Sequence, residues 1–452
     1  MTCAITISPA YSIPPIRTTF FFLEQVVHEI REPEFQPSQR AQQAAGQPIA
    51  ALMDQALSRP DLISLAAGFV DQVSLPVEPT RTAVDALMSD QSSALAALQY
   101  GPSNGDRQLR AMLIERLEQT DFGGQPRMIS PDQMLITPGS NQLLYLIGDT
   151  ILDPGDIVLC AAPTYFVFLS ILKNLGARAI GIDSDGEGMI PDALLEVLRE
   201  LQKSGDIKRV KAIYLTPYFD NPRGVTMPLH RREAIITIAK EWSRERPLYV
   251  LADNAYRELR YDCEDIPSLL ALDDNQQTVV EIGTFSKSFS PGLRVGWGIL
   301  PPALLQPVQS QKGNLDFGSP YFSQRIMAKI LELQLYDRHI ATIRECYQTK
   351  RNAMCAALED AFQDVSEIRW QRPHGGLYIW IELPEYLAAG PDGRLLETTL
   401  DEGTFYVPGE YCFPSEGTSP RKNTLRLSFG VQPPEQLHQG VIALRRALDK
   451  CM

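Results

Sequence analysis

The stretch GTFSKSFSPGLRVGW, Gly283 to Trp297, sets one lysine, Lys287, among small hydroxyl residues with Arg294 seven positions on. Lysines mostly belong to solvated surfaces. This one lies between two apolar runs, TVVEIGTF, which reads as a strand, and LRVGWGIL. Working back toward the N-terminus, QMLIT, DIVLC, VKAIYLTP and PLYVLAD are further β-rich runs, with NQLLYLIGDTIL and PLHRREAIITIAKEWSRE as helical stretches among them. Strands alternating with helices predict an α/β fold with a mainly parallel sheet covered on both faces. Such sheets carry their ligands at the carboxyl ends of the strands.

The pattern changes after about Gln311. A long helical stretch, YFSQRIMAKILELQLYDRHIATIRECYQTKRNAMCAALEDAF, predicts a linker helix or two helices in series. Shorter strands, IRWQRPHGGLYIWIEL and NTLRLSFG, and a closing helix, PEQLHQGVIALRRALDK, form an α+β tail suited to a second, smaller domain.

Composition narrows the function classes. A formal charge of -13 over 452 residues argues against a general hold on nucleic acid or anionic membrane, both of which need a basic face. Seven scattered cysteines without a C-x-x-C pair are the usage of a reducing compartment. Five histidines without ligand spacing predict no metal site. The first residues lack a signal peptide's basic start and clean apolar run, which leaves the cytoplasm as the expected location.

Polar residues end the strand-like runs one after another. LITPGSNQLLYL places Gly139, Ser140 and Asn141 between a strand and a helix, where Ser140 either caps the helix or helps the backbone N–H groups hold a phosphate. CAAPTYFVFL puts Tyr165 after another strand, as a core aromatic or a stacking plate. TPYFDNPRGVTMP holds Asn221-Pro222-Arg223-Gly224, which is also ordinary turn chemistry. LYVLADNAYRELRY ends a strand at Asp253, with Tyr256 three positions later; a buried carboxylate there needs a partner. Thr284, Ser286 and Arg294 surround Lys287. A phosphate nest, an aromatic plate, an amide, a carboxylate, a lysine and an arginine complement one ligand: pyridoxal 5′-phosphate.

In this order and register the chain resembles the fold-type-I pyridoxal-phosphate aminotransferases of class I/II. The likeness is to the subgroup of kynurenine/2-aminoadipate aminotransferases and the aminotransferase-like domains of MocR-type regulators. ISLAAGF (Ile63–Phe69) resembles that family's entry motif, and LQYGPSNGDRQLR (Leu98–Arg110) its Y-x-x-x-x-G-x-x-x-L-R segment. HGGLYIWIELP, YVPGEYCF and LRLSFG resemble its small-domain motifs. The resemblance implies a large cofactor-binding domain over residues 81–325 with a seven-stranded, mainly parallel sheet. It also implies a linker helix and small domain over 326–452, joined by 37–80, with 1–36 as an extension.

The resemblance further implies roles. Lys287 is expected to form the Schiff base with the cofactor and to move the proton at the substrate α-carbon. Asp253 faces the pyridine nitrogen, and Asn221 and Tyr256 reach the 3′-oxygen. Tyr165 stacks on the ring, with Ala255 on the sheet side. Ser140, Asn141, Thr284, Ser286 and Arg294 cradle the phosphate. Tyr100 reaches the phosphate of a neighbouring subunit, so a homodimer with shared sites is expected. Arg426 clamps the substrate α-carboxylate, with Asn221 and Gly68 beside the substrate.

Two departures from the family pattern stand out. The usual Asn-Pro-Thr-Gly reads Asn-Pro-Arg-Gly, which makes Arg223 a bulkier, charged neighbour of the cofactor loop. Aligning QPIAALMDQALSRPDLISLAAGF puts Ala50 where the subgroup offers an arginine to an acidic substrate, and the spacing of Arg40 and Arg17 supports neither as a substitute. The expectation is therefore a transaminase moving an amino group from an L-amino acid, aromatic or apolar, to a 2-oxo acid. Other chemistry on the same cofactor, decarboxylation or β-elimination, is the alternative, and a ligand-sensing module of the regulator kind is a third reading.

Overall fold

The computed structural model describes residues 35–46, 59, 61–124 and 129–452, of which Gln39–Met452 belong to one compact unit. Most of the expected N-terminal extension, with Arg17, and the Ala50 position lie outside the described residues.

A nine-stranded sheet forms its centre. Along the sheet the order is Glu416–Gly417, Arg178–Asp185, Ile157–Ala162, Val210–Leu215, Tyr249–Asp253, Val279–Thr284, Gly296–Ile299 and Met134–Thr137. Gly188–Met189 pairs off this path with Arg178–Asp185. Seven strands make the expected sheet, and the two additions are two-residue strands at its edge. The sequence reading missed the strand Arg178–Asp185 and left Gly296–Ile299 as an apolar run. Pairing is parallel from Glu416–Gly417 across to Val279–Thr284, while Gly296–Ile299 runs antiparallel to both of its neighbours.

The strand sequences read as unbroken apolar runs because both faces are covered. Leu135, Val158, Tyr214, Leu251 and Ile282 fill one face. Ile136, Leu159, Ile213, Val250 and Val279 fill the other. Alternation within each strand therefore decides which side chain reaches which layer. At the carboxyl ends the chain leaves the sheet, and polar residues replace apolar ones.

A smaller four-stranded antiparallel sheet follows in the order Arg369–Trp370, Tyr378–Glu382, Thr424–Ser428, Val407–Pro408. Its register sets Trp380 opposite Arg426. The helical stretch before it is two helices, Tyr321–Glu332 and Leu335–Phe362, broken where Gln334 takes a left-handed φ of 55°. Ile63–Ser64 pairs in parallel with Thr404–Phe405, so an early segment completes this late region.

Candidate active site

Twelve residues at the carboxyl ends of the large sheet line a cavity of about 150 Å³. Nine of them are the expected Ser140, Asn141, Tyr165, Asn221, Asp253, Tyr256, Thr284, Ser286 and Lys287; Arg294 and Ala255, also expected, complete the set with Thr216. Residues scattered over more than 150 positions meet because each ends or follows a strand of one sheet.

Asp253, the last residue of its strand, is buried. Tyr214, on the neighbouring strand, donates its hydroxyl to Asp253 Oδ2 at 3.1 Å, while Oδ1 is buried with no partner. Burial pushes this carboxyl up to about 6, against the pull of the Tyr214 bond. An orphaned buried carboxylate oxygen is costly unless a donor arrives. A protonated pyridine nitrogen is such a donor.

On the opposite side, Gly139 at φ 82° is the N-cap of the helix Ser140–Ile151. Ser140 is the first helical residue and not the cap, and no side chain caps this end. The uncapped first turn offers N–H groups and the positive end of the helix dipole. Glycine suits 139 because the positive φ strains any side chain, and a Cβ there would push the Arg294 guanidinium aside. Arg294 is itself left-handed at φ 52° and bonds Ser286 Oγ at 3.3 Å and the Pro138 carbonyl at 3.1 Å. Thr284 Oγ1 donates to Ser286 Oγ at 2.9 Å. Two hydroxyls, a guanidinium and a helix N-terminus thus converge, which suits a phosphate.

Lys287 is half-buried, and its Nζ donates to the Gly68 carbonyl at 2.6 Å. Arg426 is buried in the small sheet; it donates to Asn221 Oδ1 at 2.8 Å and to the Ala66 carbonyl at 2.7 Å. Its Nε is buried without a partner. The guanidinium lies 4.2 Å from the centre of the Tyr378 ring. Gly68 and Arg426 thus adjoin the cavity through Lys287 and Asn221 and do not line it.

Other expectations fall elsewhere. Tyr100 is 80% exposed, packs edge-on against Phe317 and lies outside the cavity of its own chain. Arg223 does not enter the cavity either. Its guanidinium grips Asp220 Oδ2 at 2.9 Å and the Asp185 carbonyl at 2.7 Å, clasping the Asn221 turn from outside. Arg40 pairs with Asp149 at 3.2 Å on the surface of the helix Ser140–Ile151. The sequence reading missed Tyr214, Thr216 and Tyr378. Tyr214 sits inside a strand with nothing local to mark it. Thr216 and Tyr378 lie within motifs that were read, yet only the fold aims them.

Residues 60–444 match the family described as aminotransferase class I and II. An aromatic-amino-acid aminotransferase of Thermococcus litoralis is 36% identical over 394 residues, 87% of this chain and 89% of that protein. The kynurenine aminotransferase of Pyrococcus horikoshii, solved with its substrates and products, superposes with a TM-score of 0.83 at 33% identity, covering 92% of this chain and 97% of that one. The alpha-aminoadipate aminotransferase LysN of Thermus thermophilus, complexed with N-(5′-phosphopyridoxyl)-L-leucine, superposes at 0.78 with 31% identity, covering 91% and 97%. The chain belongs to the class I and II aminotransferases of the fold-type-I architecture. It is a pyridoxal-phosphate-dependent aminotransferase.

The residues present fit that cofactor. The orphaned Asp253 oxygen, the uncapped helix end beside Arg294, and Lys287 Nζ match the pyridine nitrogen, the phosphate and the aldehyde in turn. Among the described residues no cluster could hold a metal ion, and no helix is long and apolar enough to cross a membrane.

Proposed function

We propose that the enzyme transfers the amino group of an aromatic or other apolar L-amino acid to a 2-oxo acid, with Lys287 as the base and Arg426 as the carboxylate clamp. The observation that carries this reading is Arg426: a buried guanidinium with its Nε unpartnered, next to the lysine-bearing cavity. Bound pyridoxal phosphate supplies an electron sink for charge released at the substrate α-carbon. Lys287 Nζ would hold the cofactor covalently and would carry the proton to and from that carbon. Asp253 keeps the ring nitrogen protonated. Asn221 and Tyr256 hold the 3′-oxygen, Tyr165 covers the ring, and Ser140, Asn141, Thr284, Ser286 and Arg294 hold the phosphate. Gly68 and Asn221 border the substrate.

The apolar substrate class rests on the groups around the clamp. Arg426 is flanked by Tyr378 at 4.2 Å and Phe166 at 5.8 Å, both aromatic. Arg294, the one guanidinium among the described residues lining the cavity, is committed to Ser286, Pro291 and Pro138. The aromatic-amino-acid aminotransferase of Thermococcus litoralis supports the same class. The catalytic unit on this reading is a homodimer in which Tyr100 reaches the neighbouring subunit's phosphate. Exposed Leu95, Leu98, Tyr100 and Phe317 supply an apolar face for such pairing. The domain division at residue 325 and a cytoplasmic location are part of the reading, the latter supported by free thiols at Cys160, Cys263, Cys346, Cys355, Cys412 and Cys451.

The test is a visible spectrum of the purified protein with single amino acids added. Bleaching by phenylalanine or tyrosine, reversed by a 2-oxo acid, supports the reading. Bleaching by 2-aminoadipate or glutamate and by no aromatic donor overturns the substrate class.

A further inference from the structure

The ring of Tyr378 flanks Arg426, but its hydroxyl has no role in the account so far. Its hydroxyl lies 3.0 Å from the hydroxyl of Tyr256, and the two rings meet edge to face at 5.6 Å and 77°. Both side chains are buried, with relative exposures of 2% and 5%. The same hydroxyl faces Gly68 so closely that a methyl group there would sit 2.6 Å from it. The ring of Tyr378 meanwhile supports the Arg426 guanidinium at 4.2 Å. Its own position is fixed by the small sheet, where Tyr378 pairs with Ser428. One side chain therefore touches the strip that receives Lys287, the carboxylate clamp, and Tyr256.

Tyr256 has few other polar neighbours. Tyr378 and Arg426 face it from adjacent strands of the small sheet, and Tyr165 faces it from the start of its helix. Asp253, Lys287 and Arg294 share the cavity that it lines. Burial, with Tyr378 next, raises the Tyr256 phenol well above its usual range, so its proton is retained. Two buried hydroxyls in contact form a chain in which one donates to the other.

We infer that Tyr378 is a positioning residue whose hydroxyl donates to Tyr256 and thereby directs the Tyr256 proton toward the 3′-oxygen of the cofactor. The inference rests on the proposed role of Tyr256. A hydroxyl that accepts one hydrogen bond becomes a stronger donor of its own proton. A stronger donor stabilises the deprotonated form of the oxygen that it meets, so that form persists to lower pH.

The experiment is a pH titration of the visible band in holoenzyme carrying Tyr378→Phe, Tyr256→Phe or both. Tyr378→Phe keeps the ring and its packing, and its melting temperature reports whether the fold is intact. The expected result is a rise of the midpoint by about half a pH unit in Tyr378→Phe, roughly threefold in proton affinity. Tyr256→Phe should raise it further, and the double variant should match Tyr256→Phe. A shift in Tyr256→Phe with none in Tyr378→Phe overturns the role of Tyr378 and leaves that of Tyr256 standing. Additive shifts overturn the relay through Tyr256. No shift in any variant overturns the reading of Tyr256 itself.

Discussion

Arg426, on a strand of the small sheet, donates to Asn221 Oδ1, on a loop of the large one, across 2.8 Å. The contact couples the group proposed to hold the substrate to a group proposed to hold the cofactor. Its second arm reaches the Ala66 carbonyl, and its Nε awaits an acceptor.

Arg426→Lys keeps the charge and loses the planar fork. We expect kcat/KM for the amino donor to fall about 100-fold, nearly 3 kcal/mol, with much of the loss in KM. Steady-state kinetics with a series of donor concentrations checks this. An unchanged KM would remove Arg426 from the substrate site.

Lys287→Ala should lose both the covalent tether and the proton carrier. Turnover should fall by about 1000-fold or more. Borohydride treatment of wild type should fix the cofactor to the peptide containing Lys287, and mass spectrometry of the variant should find no such adduct. An adduct on another lysine would relocate the site.

Asp253 makes the cofactor-free protein sensitive to pH. Its carboxyl is held up to about 6 by burial, above the unfolded value, so the folded chain binds the proton more tightly. Stability contributed by this group is gained as pH falls through about 6 and lost as pH rises; the full span is on the order of 3 kcal/mol. Relative to Asp253→Asn, the stripped wild type should therefore weaken between pH 4 and pH 6.5 in urea melts. A constant difference across that range would contradict the buried charge.

Asp71 and Lys350 form a buried pair at 2.6 Å, with the Asp71 backbone N–H donating to Tyr347 Oη at 3.0 Å. They anchor the strip that presents the Ala66 and Gly68 carbonyls to Arg426 and Lys287. Lys350→Met strands a buried carboxylate and should cost about 3–5 kcal/mol by urea unfolding. Adding Asp71→Asn should recover much of that stability. If the double variant is no more stable than the single one, the loss has a different origin.

The sequence made the cofactor groups readable where chemistry is local to a strand end. Asp253 follows an apolar run, Gly139 must adopt a positive φ, and Lys287 stands between two strands. Partners supplied by another strand left no such trace. Tyr214 reads as one more apolar position until its neighbour is known, because only the parallel register brings it beside Asp253. The strand Arg178–Asp185, second from the edge, turns polar over its last residues, which weakens the apolar run that marks the central strands. Arg223 looked like an intruder in the cofactor loop, and its real contacts lie with Asp220 and the carbonyl of a residue 38 positions away.

The pairing of Ile63–Ser64 with Thr404–Phe405 has a consequence for biosynthesis. The strip that receives Lys287 and Arg426 leaves the ribosome early, but its docking strand is made about 340 residues later. Apart from Glu416–Gly417, the strands of the large sheet are all made before Thr404, whereas the strip can dock only after Thr404–Phe405. A nascent chain stalled before Thr404 carries Lys287 and Asp253 without the strand that seats the strip and without Arg426.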